Sequence, residues 1–188
     1  YSFMRIINIT LIIFLVLTNG IKADSKTQVL EYLKKGNNLI FIRHAYAPGS
    51  GDPDNFDIYD CSTQRNLSKS GRKQSKKIGN FFEKNKIPIE QVITSEWCRC
   101  KETAQIAFGK FETKNFLNSF FSSKFLKNKK TQIKDLKKFI NNWNSDKNLI
   151  LVTHYVVIKE VLDYAPSSGE IVISDKNFKR IGNIEIKY

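Results

Sequence analysis

The chain has 188 residues, 41% of them hydrophobic, and a formal net charge of +13. That length favours one domain around a sizeable core, and a charge carried largely by Lys among Asn, Ile and Phe reads as a solvated surface. No RNA- or DNA-binding signature and no block of five or more like charges accompanies it, so nucleic acid is not an expected partner.

Met4 and Arg5 precede an apolar run over 6–17, then Thr18, Asn19 and Gly20, then Ile21-Lys22-Ala23 before Asp24. A short basic start, a brief apolar core and a small residue before the cut make 1–23 a secretory signal peptide and 24–188 the mature domain. The run is shorter than the roughly 20 apolar residues of a membrane span. An uncleaved anchor is therefore the weaker reading, and no stable membrane insertion is expected after cleavage. The expected location is exported, in the periplasm.

In the mature chain, 26–35 reads as a short helix closed by Gly36-Asn37-Asn38. Residues 39–42 are an unbroken apolar run, as in a strand buried on both faces. A polar loop rich in Gly, Pro and Asp follows over 48–60. Ser68 caps a helix running to Lys84 with Ile78, Phe81 and Phe82 inward. A strand over 91–94 precedes a helix over 99–108, and 116–117 is a weak strand. Helix 131–143 carries Ile133, Leu136, Phe139 and Ile140 at helical spacing. Residues 149–152 form a third strong strand, 156–162 a helix, and 170–174 and 183–188 closing strands. Strands alternating with helices give a single α/β domain on a largely parallel sheet.

The chain has two histidines, and each follows the carboxyl end of a buried strand: His44 after Arg43, His154 after Thr153. Ligand crevices form at that edge of open α/β sheets. The strand over 91–94 leads to Ser95 and Arg99, so one edge collects two imidazoles and two guanidinium groups. Arginines donate forked hydrogen bonds to phosphate oxygens, and an imidazole can attack phosphorus.

Of the three cysteines, Cys61, Cys98 and Cys100, an oxidising compartment leaves one disulfide and one thiol as the default. A bridge from Cys61 to Cys98 or Cys100 would tie the polar loop to the start of the Arg99 helix; three free buried thiols are the alternative. Cys98-x-Cys100 is not a recurrent zinc spacing, so no metal is expected.

Several blocks resemble, in order, the histidine phosphatase (phosphoglycerate-mutase-like) superfamily. Phe41-Ile42-Arg43-His44-Ala45 resembles its Arg-His signature, with Ala in place of the usual Gly. Leu67-Ser68-Lys69-Ser70-Gly71-Arg72-Lys73-Gln74 resembles its Leu-Thr/Ser-x-x-Gly-x-x-Gln helix start. Ser95-Glu96-Trp97-Cys98-Arg99-Cys100-Lys101-Glu102-Thr103-Ala104 resembles its Ser-x-x-x-Arg-x-x-x-Thr-Ala block, and Val152-Thr153-His154 its second histidine strand.

The resemblance implies a three-layer α/β/α single domain, phosphoglycerate-mutase-like. It implies His44 as nucleophile, with Arg43, Arg99 and His154 as the phosphate pocket, and no cofactor. The expected activity is phosphomonoester hydrolysis through a phosphohistidine on a small exported substrate, an envelope sugar phosphate being one candidate. The alternative is a non-catalytic anion-binding module of the same fold. The familiar proton donors are missing: Tyr155 follows His154 where acid-phosphatase relatives have Asp, and Leu117-Asn118-Ser119 ends in Ser where mutase-like relatives have Glu. Asp52, Asp54, Asp57, Asp60 and Glu170 are substitutes. Asp57 is the choice, because Phe56 and Ile58 can anchor it and partial desolvation would raise its pKa.

Overall fold

The computed structural model describes residues 25–188, and the expected signal peptide lies outside them. In chain order the elements are α1 (Ser25–Lys35), β1 (Leu39–Arg43), α2 (Lys69–Lys84), β2 (Ile89–Thr94), α3 (Cys98–Phe108), β3 (Glu112–Thr113), α4 (Ser123–Leu126), α5 (Lys129–Asn142), β4 (Asn148–Thr153), α6 (Tyr155–Leu162), β5 (Ile171–Ser174) and β6 (Arg180–Ile184). They form one six-stranded sheet in the order β3-β2-β4-β1-β5-β6. The first four strands in that order are mutually parallel, and β5 and β6 close the edge with antiparallel pairings.

Alternation along the strands creates the layers, because successive side chains leave a strand on opposite faces. Ile40 and Ile42 of β1, with Ile150 and Val152 of β4, meet Leu33 of α1, Ile78 and Phe82 of α2 and Ala104 of α3. Leu39, Phe41, Leu149 and Leu151 point the other way, onto Leu136 and Ile140 of α5 and Val157 and Ile158 of α6. Both faces of β1 and β4 are thus covered, which is why both sequences are uninterrupted apolar runs. Among the described residues no helix is long and apolar enough to cross a membrane.

Two local expectations differ from the structure. Residues 116–117 belong to a 3-10 turn, Asn115–Leu117, and not to a strand. Their side chains are buried against α5, and two apolar residues alone do not distinguish a strand from a packed turn. The edge strand is instead the exposed pair Glu112–Thr113. The last strand runs over Arg180–Ile184 and not 183–188, because Asp175 accepts the N–H groups of Asn177 and Lys179 and turns the chain straight back beside β5.

Candidate active site

The sheet brings the two histidines together. β1 and β4 are neighbours with Arg43 opposite Thr153, so the next residue on each strand reaches the same edge. The His44 N–H donates to the Thr153 carbonyl at 2.9 Å. The two imidazoles are buried edge to face, 5.4 Å between centroids. β2, on the other side of β4, delivers Ser95, whose N–H donates to Val152. Arg99 follows in the first turn of α3.

The block from Leu67 to Gln74 has a mechanical role in this arrangement. Ser68 caps α2 by accepting the Gly71 N–H at 3.1 Å. Gly71 lies so close to the Tyr46 carbonyl that a Cβ there would stand 2.0 Å from its oxygen. Gln74 accepts the Tyr46 N–H and donates to the Ser168 carbonyl. The segment after His44 is therefore clamped from two sides. Ala45, in place of the usual Gly, is fully buried and is not among the residues with positive φ, so its methyl group meets no backbone strain.

Hydrogen bonds assign the proton on each imidazole. His44 Nδ1 lies 2.8 Å from the Ala45 carbonyl, which can only accept, so Nδ1 carries the proton and Nε2 the lone pair. That lone pair accepts the Arg99 Nε–H at 3.2 Å. Asn118 Oδ1 accepts both the Glu96 N–H and the Ser95 hydroxyl. Ser95 Oγ must then accept from His154 Nε2, 2.9 Å away, leaving Nδ1 as the remaining nitrogen of His154. Burial first, and the Arg99 charge next, hold both imidazoles well below their ordinary pKa, so both are neutral at neutral pH.

These groups open into a cavity of about 260 Å³. Arg43 lines it, with its guanidinium 5.4 Å from the Tyr155 ring centroid, one nitrogen donating to the Pro166 carbonyl and a buried Nε without a partner. Arg65, which motif reasoning did not single out, adds a third guanidinium. Burial and the charge of Arg99 lower its pKa to about 10. Arg99 is held from behind by Asp52, which accepts from both terminal nitrogens at 2.7 and 3.1 Å. Asp52 also accepts the Trp97 indole N–H and the Arg65 backbone N–H. A disulfide joins Cys61 to Cys98, and Cys100 stays a buried thiol 3.5 Å from His154 Nε2. Among the described residues no group of three or more His, Cys, Asp and Glu side chains is placed to hold a metal ion.

A sequence model of the histidine phosphatase superfamily (branch 1) matches residues 39–118. Over those residues the chain is similar to the histidine phosphatase superfamily. Solved structures share the fold. TTHB049 from Thermus thermophilus is 12% identical over 78% of this chain and 98% of its own, with a TM-score of 0.56. The product of open reading frame Rv3214 from Mycobacterium tuberculosis is 15% identical over 80% and 97%, with a TM-score of 0.56. The protein histidine phosphatase SixA, complexed with tungstate, is 16% identical over 76% and 92%, with a TM-score of 0.50. No curated protein matches the chain.

The carboxylates are placed differently from the expected arrangement. Asp57 is exposed and accepts the Tyr59 N–H, and it does not line the cavity. The anchoring by Phe56 and Ile58 is real, but both turn inward and so direct the residue between them outward. Glu170 is buried beneath Tyr164, Asn183 and the Ser167 N–H, which take up both its oxygens. Asp52 and Asp54 are the carboxylates lining the cavity. Ser119, where mutase-like relatives carry Glu, lines it too, its hydroxyl accepting the Phe121 N–H.

Proposed function

We propose that the protein is a phosphomonoester hydrolase that works through a phosphohistidine on His44, acting on an exported small phosphorylated substrate. The carrying observation is the state of His44: neutral, its Nδ1 proton pinned on the Ala45 carbonyl, and its Nε2 lone pair on the cavity side beside three guanidinium groups. The arginines neutralise the phosphoryl oxygens as charge redistributes. On binding, the Arg99 Nε–H moves from His44 Nε2 to a phosphoryl oxygen, which releases the lone pair. Nε2 then forms a bond to phosphorus in line with the departing ester oxygen, which leaves with the bonding pair and takes a proton from solvent. Water attacks the phosphohistidine, the N–P bond breaks, and inorganic phosphate departs. The export part of the reading rests on residues 1–23, and an envelope sugar phosphate remains a candidate substrate on compartment alone.

Rapid quench with phosphorus-labelled phenyl phosphate tests the mechanism. An acid-labile, base-stable adduct on His44 is expected, together with at least about a thousandfold loss of turnover in His44→Ala. Binding of phosphate without any turnover would instead establish an anion-binding module.

A further inference from the structure

Resting on that reading, the mouth of the cavity defines which leaving group it takes. The inner end is cationic and polar. The outer wall is aromatic: Phe56, Trp97 and Phe125 pack on one another at 4.9–5.5 Å, and Phe121 meets Tyr155 edge to face at 5.9 Å. Phe121 is nonetheless 50% exposed, one of few large apolar side chains left open among the described residues. An apolar ring open to water at a cavity lip gains free energy when a ligand covers it.

Lys124 lines the same cavity. Its ammonium lies 5.6 Å from the Phe125 ring centroid, and among the described residues no carboxylate is within ion-pair distance of it. The three arginines inside already match a phosphoryl group. A cation at the lip beside open aromatic surface fits a second, separate negative charge on a flat group. Reaction chemistry points the same way: of the two carboxylates lining the cavity Asp52 is committed to Arg99 and Asp54 is exposed to solvent, and phenols, with pKa near 10, leave with far less help from a proton donor than alkanols do.

We infer that the cavity mouth is a leaving-group subsite for aryl phosphates that carry a second anionic group, with Phe121 covering the ring and Lys124 pairing the anion. The transfer is the one already given: the His44 N–P bond forms, the P–O(aryl) bond breaks, and the phenolate takes its proton from water.

Binding of stable phosphonates to the full chain separates this subsite from catalysis. By calorimetry, inorganic phosphate, methylphosphonate, phenylphosphonate, 3- and 4-carboxyphenylphosphonate and a glucose phosphonate are compared. Phenylphosphonate should bind at least about fivefold tighter than methylphosphonate, and one carboxyphenyl isomer about fivefold tighter again. Phe121→Ser should erase the first gain and Lys124→Ala the second, each read as a ratio within one variant. If phosphate binds but the ring and the carboxylate add nothing, or the sugar phosphonate binds as well, the subsite is refuted while the phosphatase reading stands. If phosphate itself does not bind, both readings fall.

Discussion

Asp52 and Arg99 form a two-pronged ion pair at 2.7 and 3.1 Å, and the same guanidinium donates through its Nε to His44 Nε2. Arg99 therefore spans a carboxylate and a lone pair, both of which compete with an incoming phosphate for its hydrogens. Asp52→Asn should tighten inorganic phosphate binding by about tenfold, the equivalent of ~1.4 kcal/mol. It should also cost stability, about 3 kcal/mol, because a buried guanidinium loses its counter-charge. Competition against an aryl phosphate and a denaturation curve measure the two. Weaker phosphate binding would make Asp52 a support for Arg99 and not its competitor.

The two buried imidazoles make stability depend on pH. Their folded pKa values lie well below 6.5, through burial and then Arg99, while in the unfolded chain they titrate near 6.5. Below that pH the unfolded state binds protons that the folded state refuses. Their contribution is complete above pH 6.5 and is lost as the pH falls towards the folded values. Between pH 6 and 5 the slope should approach about 2.7 kcal/mol per pH unit for the pair, and His154→Asn should roughly halve it. Denaturation midpoints across that window give the answer; a flat profile would mean that the folded histidines are already charged.

The Cys61–Cys98 bridge closes a separation of 37 residues and fastens the loop that carries Asp52 to the start of α3. Gln64 reinforces the join by accepting the Cys98 N–H. Chain-entropy reasoning assigns such a bridge about 4 kcal/mol. Replacing both cysteines by Ser should lower stability by that order, speed proteolysis within 48–60, and raise KM more than it lowers kcat. Unchanged KM would show that the loop holds its place without the bond.

Gly71→Ala adds a methyl group where the Tyr46 carbonyl stands 2.0 Å away, so either α2 or the segment behind His44 must move. Stability should fall by about 2–3 kcal/mol and turnover with it, whereas Ser70→Ala on the exposed side of the same turn should change neither appreciably. Melting curves and steady-state rates on the pair of variants decide it.

The central strands were legible because burial on both faces leaves no polar position in them, and the histidines because they stand where those runs stop. The α2 block was legible as a pattern, but its purpose, a glycine pressed against Tyr46, needs the folded backbone. Loop chemistry was not legible. Arg65 and Asp52 belong to a stretch without periodicity, placed by a 3-10 turn at Cys61–Thr63 and by the disulfide, so no spacing rule could set them beside Arg99. The same blindness made Asp57 attractive: neighbouring apolar anchors announce burial of themselves and say nothing of the direction in which the residue between them points.

The 5.4 Å between the two imidazoles is close to the spacing of adjacent strands, about 4.8 Å. The width of the phosphate end is thus inherited from the hydrogen-bonded ladder between β1 and β4. Most of the aromatic and charged lip, in contrast, comes from 48–66 and 119–128, segments that contribute nothing to that ladder, joined by Trp97 and Tyr155 from just beyond β2 and β4. The ring spacing and most of the lip therefore have different structural origins. Such a construction lets loops at 119–128 be exchanged, by evolution or by an engineer, to retarget the cavity while the strand pair goes on presenting the same two rings.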